Sequence, residues 1–316
     1  MRGSLAQPEL FTDLDARVEL DAPMGPLTWF QVGGRAEALV SPHSHAALAT
    51  LVTRCHESAV PVRVLGSGAN LLVADDGVDG VVVRLDESAF TQFGFADASA
   101  AGIVRVGAGA DLMTLVQQSA RQGFDGLAQL AGIPATVGGA VTMNAGGSYG
   151  DTAQAVASVG HVGFDGQVRL LSAAEARFTY RHTEIPPGII LFADLRLERG
   201  DPAVIRERVK TIFNYKKSTQ PMADRSAGCM FKNPVDPATQ QRRSAGQLID
   251  QAGLKGSESG GAYVSPIHGN FIALREGGSA DDVLRLVARV QQRVLEHSGI
   301  GLEREVVVWS KRGEVR

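Results

Sequence analysis

A stretch of small residues near the middle of the chain has the composition of a ligand-binding loop. Residues 131–150 read AGIPATVGGAVTMNAGGSYG and include six glycines. Glycine lets the backbone approach a ligand closely, so such a run can wrap a flat or phosphate-bearing molecule with N–H donors. Its short polar side chains are those of Thr136, Thr142, Asn144 and Ser148. A flexible linker is the alternative, but it would leave four interleaved apolar residues in solvent: Ile133, Val137, Val141 and Met143.

A second glycine turn lies earlier, where residues 61–73 read PVRVLGSGANLLV. The pattern predicts a strand, a tight turn and another strand, with Gly66 and Gly68 at the reversal. Exposed N–H groups in such a turn can form an anion-binding nest. It is not a Rossmann fingerprint, because Leu71 stands where the third glycine should be and no helix is expected next. From these residues alone an ordinary hairpin turn remains an equal alternative.

Length, composition and charge restrict the kind of protein. The 316 residues are 44% apolar and 21% charged, which is ordinary globular usage and allows one to three domains. A net charge of −3 argues against electrostatic binding of nucleic acid or an anionic membrane by the protein as a whole. The seven histidines are scattered and only His43 and His45 lie close together, so no metal site is expected.

Two cysteines, Cys55 and Cys229, are too few for a disulfide framework. The N-terminal residues show no apolar signal region and no run is long enough to span a membrane. These features predict a cytoplasmic protein. Cys55 lies on one predicted helix face with Leu48 and Leu51, and we interpret it as a small buried core residue.

Local patterns predict a mixture of helices and strands. Asp111 is expected to cap a helix that stops at Gly123, and Asp201-Pro202 to begin another. Ser244 with Gln247, and Ser279 with Asp282, have the spacing of capping boxes. A final strand is predicted from Glu305 to Trp309. The buried-strand runs are Val62–Leu65, Val81–Val83, Ile103–Val106, Val159–Val162 and Ile189–Phe192.

The two glycine segments resemble the flavin-binding signatures of the bacterial UDP-N-acetylenolpyruvoylglucosamine reductase family. This chain reads VLGSGANLLV and AGIPATVGGAVTMNAGGSYG, and further family motifs follow in order from about residue 25 to 309. The further matching segments are Thr28–Gly34, Tyr180-Arg181, Ser218–Pro221, Ser226–Pro234, Ser244–Ile249, Ala252–Gly256, Ser265–Ile272 and Leu302–Val306. Many ordered motifs are far more specific than any one of them.

The resemblance implies an α+β fold with an FAD-binding region of the vanillyl-alcohol-oxidase/PCMH type and a smaller α+β substrate-binding domain. The expected division is an FAD-binding region at 1–198, a substrate-binding domain at 199–300 and a closing strand at 301–316 that carries Glu305. It further implies non-covalent FAD, NADPH as co-substrate, and reduction of UDP-N-acetylglucosamine enolpyruvate to UDP-N-acetylmuramate in peptidoglycan precursor synthesis. Hydride would come from the flavin N5.

Three catalytic residues follow from the resemblance. Arg181 matches the family's Tyr-Arg pair and would hold the substrate carboxylate as negative charge develops; a guanidinium suits this because it is planar and always charged. Glu305 would stabilise the enolic intermediate, and a carboxyl beside developing negative charge helps only when protonated. Glu303 would share a strand face with Glu305, so strand period alone cannot choose between them. Without the resemblance, Arg181 would be read as a surface salt-bridge residue.

Cys229 is a departure from the family pattern. Most members carry a proton-donating serine in the corresponding motif, whereas this chain reads SAGC at 226–229. A thiol, with a reference pKa of about 8.5, releases a proton far more readily than an alcohol, so Cys229 can serve as the general acid. Its accessible sulfur would also be open to oxidation. A buried structural cysteine is the alternative.

The resemblance assigns the remaining contacts as well. The predicted cofactor-binding residues are Gly66, Ser67, Gly68, Ala69, Asn70, Gly132, Pro134, Thr136, Gly138, Gly139, Asn144, Ala145 and Gly146. The predicted substrate-binding residues are Tyr180, Lys232, Asn233 and His268. Lys216, Lys217 and Lys255 are further basic candidates, which could equally be solvated surface charges. We expect a monomer that binds the enolpyruvyl nucleotide and NADPH, with no nucleic-acid or membrane partner.

Some family members insert a tyrosine-bearing loop between the positions of Arg181 and Pro221. Here that interval contains only Tyr215, on a predicted helix, so the chain resembles the group without the loop. Two other functions stay open: another flavin-dependent oxidoreductase of the same superfamily, and a non-catalytic nucleotide-binding module.

Overall fold

Helices and strands alternate along the whole of the computed structural model, which describes residues 8–95, 102–311 and 313–315. Four short 3-10 turns lie within these ranges at Pro8–Leu10, Gly25–Leu27, Ala128–Leu130 and Thr152–Gln154. The α-helices of the described residues are α1 His45–Glu57, α2 Ser88–Thr91, α3 Leu112–Arg121, α4 Val137–Thr142, α5 Ala173–Ala176, α6 Pro202–Thr219, α7 Ala245–Gln251 and α8 Ala280–Ser298.

The strands are shorter than the long helices, and several have only two residues. They are β1 Ala16–Pro23, β2 Arg35–Pro42, β3 Val62–Leu65, β4 Leu71–Val73, β5 Val78–Arg84, β6 Ile103–Gly107, β7 Phe124–Asp125, β8 Gly146–Gly147, β9 Gly150–Asp151, β10 Val156–Gly163, β11 Val168–Ser172, β12 Gly188–Arg196, β13 Glu198–Arg199, β14 Glu258–Ser259, β15 Ala262–Val264, β16 Ile272–Leu274, β17 Val307–Ser310 and β18 Gly313–Val315.

The chain divides into two compact units, and each is discontinuous in sequence. The first unit contains residues 1–21, 37–67 and 80–216, and the second contains 22–36, 68–79 and 217–316. This division is by contact, and it differs from the domains expected from sequence in grouping residues 22–36 and 68–79 with the C-terminal part. The expected division at 198 and 300 stays a prediction about function.

The first unit is organised around two four-stranded sheets. One has the strand order β1-β2-β5-β3, with β3 and β5 parallel, and the other is antiparallel with the order β11-β10-β12-β6. One buried cluster packs α1 on the first sheet through residues such as Leu48 and Val81. A second cluster joins α3, α4 and α6 to β6, β10 and β12 through residues such as Leu115, Val141 and Ile212.

The second unit has a three-stranded antiparallel sheet, β14-β15-β16, and a second sheet with the order β18-β17-β4. In the latter, β17 is parallel to β4 and antiparallel to β18. Helix α8 provides the longest apolar stripe of the unit's core, from Val283 through Val287 and Val290 to Val294. Glu305 lies two residues before β17, and Cys229 forms an isolated bridge with Phe271, the residue before β16.

The helix boundaries show the capping chemistry that the sequence predicts. Asp111 accepts the backbone N–H of Thr114 at 2.7 Å, and Ser279 and Asp282 form a reciprocal capping box at the start of α8. Ser244 accepts the N–H of Gln247, although the reciprocal Gln247 contact of a full box is not part of this cap. Cys55 is fully buried, and this burial raises its thiol pKa to about 11, which confirms its interpretation as a core residue.

Two features differ from the sequence expectation. The final strand begins at Val307, so Glu305 precedes it; the backbone of residues 303–306 hydrogen-bonds to residues 230–232 instead of joining the sheet. The glycine-rich segment also contains a helix, α4, because Val137 and Val141 are buried one turn apart. No helix among the described residues combines the length and apolar character that crossing a membrane requires.

Candidate active site

The first glycine turn joins β3 to β4, so the predicted strand, turn and strand are confirmed. In the first unit, a Cβ on Gly66 would lie 2.8 Å from the Thr136 side-chain oxygen, and the Ser67 hydroxyl donates to the carbonyl oxygen of Pro134 at 3.1 Å. The two predicted cofactor segments therefore touch each other. Glycine is required at position 66 because no side chain fits against Thr136.

The turn continues with Gly68, whose φ of +69° lies in the left-handed region. A Cβ there would be 2.1 Å from the carbonyl oxygen of Leu27, a separation that no packing adjustment allows. The backbone N–H groups of Ser67, Gly68 and Ala69 donate to no acceptor within the described part of the chain. Consecutive N–H groups of this kind are suited to an anion such as a diphosphate.

The second glycine segment packs against the residues that directly follow β6. A Cβ on Gly138 would meet the Ala108 side chain at 3.0 Å, and the N–H groups of Val137 and Gly138 donate to Ala110 and Ala108. Thr136 caps α4 by accepting the N–H of Gly139 at 3.2 Å. The first three N–H groups of α4 are thus already used, so the anion-binding property of a free helix N-terminus does not apply to this helix.

Asn144, Gly146 and Arg181 form a connected group in the first unit. Asn144 is buried with a φ of +40°, and its side-chain amide donates to the carbonyl oxygen of Thr179 at 2.9 Å and accepts the N–H of Ala153. Arg181 donates to the carbonyl oxygen of Gly146 at 2.7 Å. The β8–β9 hairpin and the turn that carries Arg181 are therefore held together by this asparagine.

The Arg181 backbone also has a positive φ, of +57°, which is a strained position for a residue with a side chain. Its guanidinium lies 5.1 Å from the ring centre of the half-exposed Tyr180. Ala145 contributes through its carbonyl oxygen, which accepts both the N–H and the hydroxyl of Thr152. This network fixes the direction of the Arg181 side chain more firmly than a loop alone would.

Lys216 is a functional candidate whose burial the sequence reasoning missed. It is 7% exposed, and its Nζ donates to the carbonyl oxygen of Ala131 at 2.6 Å. Burial, and secondly the positive charge of Arg181, lower the pKa of its ammonium group to about 8. The helical spacing of α6 could have predicted this burial. Its buried stripe runs through Ile205, Val209 and Ile212, and Lys216 is the next residue on the same face.

In the second unit, the segments of Cys229 and Glu305 are neighbours. Phe231 forms an antiparallel bridge with Arg304, and the N–H of Glu305 donates to the carbonyl oxygen of Met230 at 2.8 Å. Cys229 is half-buried and forms an antiparallel bridge with Phe271. The predicted proton donor therefore stands one residue from the backbone contact of the predicted acid.

Two asparagine side chains, Asn70 and Asn270, hydrogen-bond to the segments that carry Glu305 and Cys229. The Asn70 side chain donates to the carbonyl oxygen of Glu305 at 3.2 Å, and its own carbonyl oxygen accepts the N–H of Val307. The buried side chain of Asn270 accepts the N–H of Phe231 and donates to its carbonyl oxygen. Asn270 lies in a matched motif, but the sequence reasoning gave it no role.

A model described as the UDP-N-acetylenolpyruvoylglucosamine reductase C-terminal domain matches residues 220–309, and one described as an FAD binding domain matches residues 36–172. The UDP-N-acetylenolpyruvoylglucosamine reductase of Myxococcus xanthus is 40% identical, over 92% of this chain and 91% of its own. The chain belongs to the UDP-N-acetylenolpyruvoylglucosamine reductase family.

Other members of the reductase family give the same result. The reductase of Desulfosudis oleivorans is 39% identical, with 92% of this chain and 94% of that protein covered. A crystal structure of the reductase from Thermus caldophilus is similar to this one with a TM-score of 0.79 and 39% identity, covering 93% of this chain and all of that chain. The predicted family, the α+β class with an FAD-binding region, and the assignment as a flavin-dependent oxidoreductase are confirmed. The vanillyl-alcohol-oxidase/PCMH type of that region stays a prediction.

The residues of this family member fit a bound flavin dinucleotide. Gly66 and Gly138 let the backbone pack closely against Thr136 and Ala108, where a Cβ would be crowded, and the N–H groups of residues 67–69 are available to an anion. Gly132 has a φ of +74°, in the left-handed region that favours glycine. Gly139 is exposed and therefore accessible to a ligand. The cofactor roles of individual residues stay predictions.

The predicted substrate residues of the second unit have defined partners. Lys232 forms an ion pair with Glu303 at 2.5 Å. The choice of Glu305 over Glu303 as the catalytic acid stays a prediction. The Asn233 side chain accepts the N–H of Ala245. His268 accepts the N–H of Asn270, and burial, and then the charge of Lys255, lower its pKa. His268 therefore supports Asn270 within the structure.

Proposed function

We propose that this chain catalyses the NADPH-dependent, FAD-mediated reduction of UDP-N-acetylglucosamine enolpyruvate to UDP-N-acetylmuramate, a step of peptidoglycan precursor synthesis. Membership of the reductase family supports the reaction, and the matched FAD binding domain supports the cofactor. The proposal includes a cytoplasmic monomer whose partners are the enolpyruvyl nucleotide and NADPH. FAD, when bound, supplies the hydride from its N5 to the terminal carbon of the enolpyruvyl group.

The cofactor cradle is assigned to the thirteen residues predicted from the two glycine segments, from Gly66 to Asn70 and from Gly132 to Gly146. Ser67, Gly68 and Ala69 offer N–H donors to the diphosphate, and Thr136 and Pro134 hold the two segments against one another through Gly66 and Ser67. Asn144 supports the cradle without a direct side-chain contact to the cofactor, because its side-chain amide is already hydrogen-bonded to the backbone of Thr179 and Ala153.

Arg181 is assigned to the substrate carboxylate. Negative charge develops on the carbon beside that carboxylate as hydride arrives, and a fixed guanidinium stabilises it without reorganising. The carbonyl oxygen of Gly146 and the network through Asn144 orient the guanidinium before substrate binds. Tyr180, on which the guanidinium stacks, is assigned with Lys232, Asn233 and His268 to the substrate pocket.

Cys229 is assigned as the proton donor and Glu305 as the acid that accompanies it. The Sγ–H bond breaks as a C–H bond forms at the carbon beside the carboxylate, and the resulting thiolate regains a proton from solvent. The observation that carries this assignment is the hydrogen bond from Glu305 to Met230, which sets the acid beside the segment of the thiol. Asn70 holds Glu305 in this position by its carbonyl oxygen.

The visible spectrum of the purified, flavin-loaded protein under anaerobic conditions tests the proposal. NADPH is expected to bleach the flavin band, and addition of the enolpyruvyl nucleotide is expected to restore it with formation of product. Bleaching with no recovery on that substrate would indicate another flavin oxidoreductase of the superfamily. A colourless protein that FAD cannot reconstitute would indicate a non-catalytic nucleotide-binding module.

Substitutions at Cys229 test the proton donor separately. Cys229→Ala is expected to keep NADPH-driven bleaching and to lower product turnover by at least about 10²-fold, the size of a general-acid contribution. Cys229→Ser, which restores the hydroxyl found in most of the family, is expected to retain turnover. Unchanged turnover in the alanine variant would refute the assignment. Cys55→Ala is the matched control, because that thiol is buried in the α1 core.

A further inference from the structure

Helices α3 and α6 of the first unit enclose a groove that the reaction does not use. Its volume is about 270 Å³, just below the usual range for small-molecule sites. Its floor, the buried and half-buried part of the lining, is apolar and comes from both helices, whereas the exposed part of the lining, its rim, carries three cations. The lining residues are Met113, Gln117, Ala120, Arg121, Arg206, Val209, Lys210 and Phe213.

The charges around this groove are predominantly positive. Arg121 ends α3, while Arg206 and Lys210 lie one turn apart on the exposed side of α6. Glu207 forms an exposed ion pair with Lys210 at 3.8 Å and is the only acid in contact with a lining cation among the described residues. Three cations against one acid over an apolar floor select a ligand with an anionic head and an apolar tail.

The floor of the groove contacts the flavin-binding segment directly. The N–H of Gly132 donates to the sulfur of Met113 at 3.3 Å. The space on the side-chain face of Gly132 is filled by Lys216, at 3.2 Å from the ideal Cβ position, and by Phe213, at 3.4 Å. Two of the groove's apolar residues therefore support the positive-φ turn with which the second glycine segment begins.

We propose that the α3–α6 groove binds a small acyl carboxylate and thereby controls the affinity of the protein for FAD. The carboxylate is held by Arg121, Arg206 and Lys210, and the alkyl tail lies on Val209, Met113 and Phe213. A tail in this position displaces the Met113 thioether from the N–H of Gly132 and loosens the turn. The proposal rests on the proposed binding of FAD to the segment that contains Gly132, but it does not depend on the identity of the reduced substrate.

The binding experiment uses octanoate as the probe and calorimetry on the flavin-loaded protein. Saturable one-to-one binding of octanoate is expected, with octanol, which lacks the charge, and acetate, which lacks the tail, each at least about tenfold weaker, a difference of ~1.4 kcal/mol. Equal binding of octanoate and octanol would overturn the proposal. A chain that elutes as a dimer and loses the groove on association would overturn it too, since a second copy would then be the occupant.

Substitutions at the rim separate the groove from other surfaces. Arg206→Gln and Arg121→Gln are each expected to weaken octanoate binding by about two- to fivefold, the size of an exposed ion pair, and the double variant by about tenfold. Arg208→Gln is the matched control, because Arg208 lies on the same helix but pairs with Asp125 outside the groove. An equal loss in all three single variants would overturn the assignment of the site.

The coupling to flavin is measured as the FAD dissociation constant with and without saturating octanoate. At least a threefold rise is expected, and FAD must weaken octanoate by the same factor, because coupling between two sites is reciprocal. Met113→Leu keeps the floor apolar but removes the sulfur acceptor, so octanoate is expected to bind while the FAD constant no longer responds. An FAD constant that ignores octanoate in the unmodified protein would overturn the control function.

Discussion

The Nζ of Lys216 donates to the carbonyl oxygen of Ala131 at 2.6 Å, at the point where the second glycine segment begins. This hydrogen bond fastens the C-terminal part of α6 to the segment that is predicted to bind flavin. The same lysine is buried and lies in the field of Arg181, so its charge is carried at a cost to stability. Both properties follow from its place on the apolar stripe of α6.

The depressed pKa of Lys216 predicts a distinct pH dependence of stability. A lysine titrates near 10.4 when unfolded and at about 8 in the folded protein, so the unfolded state binds more protons between these values. The free energy of unfolding contributed by this residue therefore rises with pH across that window, by up to about 1.4 kcal/mol per pH unit.

Urea unfolding of the protein and of Lys216→Met at several pH values between 7.5 and 10 checks this. The free energy of unfolding of the unmodified protein is expected to rise relative to that of Lys216→Met as pH rises. Other titrating groups contribute equally to both proteins and cancel in the difference. Lys217→Met, at the exposed neighbouring position, is the control for the loss of a lysine from this end of α6. A flat difference for Lys216→Met would mean that the ammonium is not destabilised in the folded protein.

Gly66 is expected to tolerate no side chain. A Cβ at this position would lie 2.8 Å from the Thr136 oxygen that caps α4, so Gly66→Ala must displace the cap. We expect FAD affinity to fall by about tenfold or more, equivalent to ~1.4 kcal/mol. Gly147→Ala is the control, because nothing lies within 4 Å of its Cβ position. Equal FAD affinity in both variants, measured by flavin fluorescence, would contradict the predicted cradle.

Asn270 is expected to act as a positioning residue for Cys229. Asn270→Ala leaves the buried N–H and carbonyl group of Phe231 without partners, which should cost about 2–4 kcal/mol of unfolding free energy. Turnover should fall while flavin bleaching by NADPH persists, since Phe231 lies two residues from the proton donor. Asn270→Asp keeps the acceptor for the Phe231 N–H and should retain more turnover. Loss of stability with normal turnover per folded molecule would show a purely structural role.

His161 is expected to weaken the first unit. It is fully buried on β10, and neither ring nitrogen has a hydrogen-bond partner among the described residues. His161→Leu removes this unsatisfied polar group and should raise the free energy of unfolding by about 1–2 kcal/mol. Urea unfolding at pH 7 measures the change. A lower stability in the leucine variant would indicate that the imidazole is satisfied in solution.

Local chemistry predicted much of the fold, because caps and glycine stops act over a few residues. Asp111 and Ser279 both begin helices, as the sequence predicts. What could not be predicted depends on contacts distant in sequence. Glu305 was expected inside a strand, yet its backbone bonds to Met230, and no local pattern announces that partner.

The site shows the same division. Motif order identified the two glycine segments and the family, which the comparisons confirm. The burial of Lys216 was available from the stripe of α6 but conflicts with the usual exposure of lysine. The role of Asn270 could not be predicted, because its side chain bonds to the backbone of Phe231, which lies 39 residues earlier in the sequence. That contact forms only when the second unit folds.

Strand β4 and strand β17 are hydrogen-bonded neighbours although more than two hundred residues separate them along the chain. During synthesis β4 therefore leaves the ribosome long before its partner β17. The β4–β17 pair cannot form until more than two hundred further residues have been made, so β4 has to persist without this neighbour in the meantime. A chain truncated before Val307 would lack β17, and the sheet of the second unit that contains β4 could not assemble.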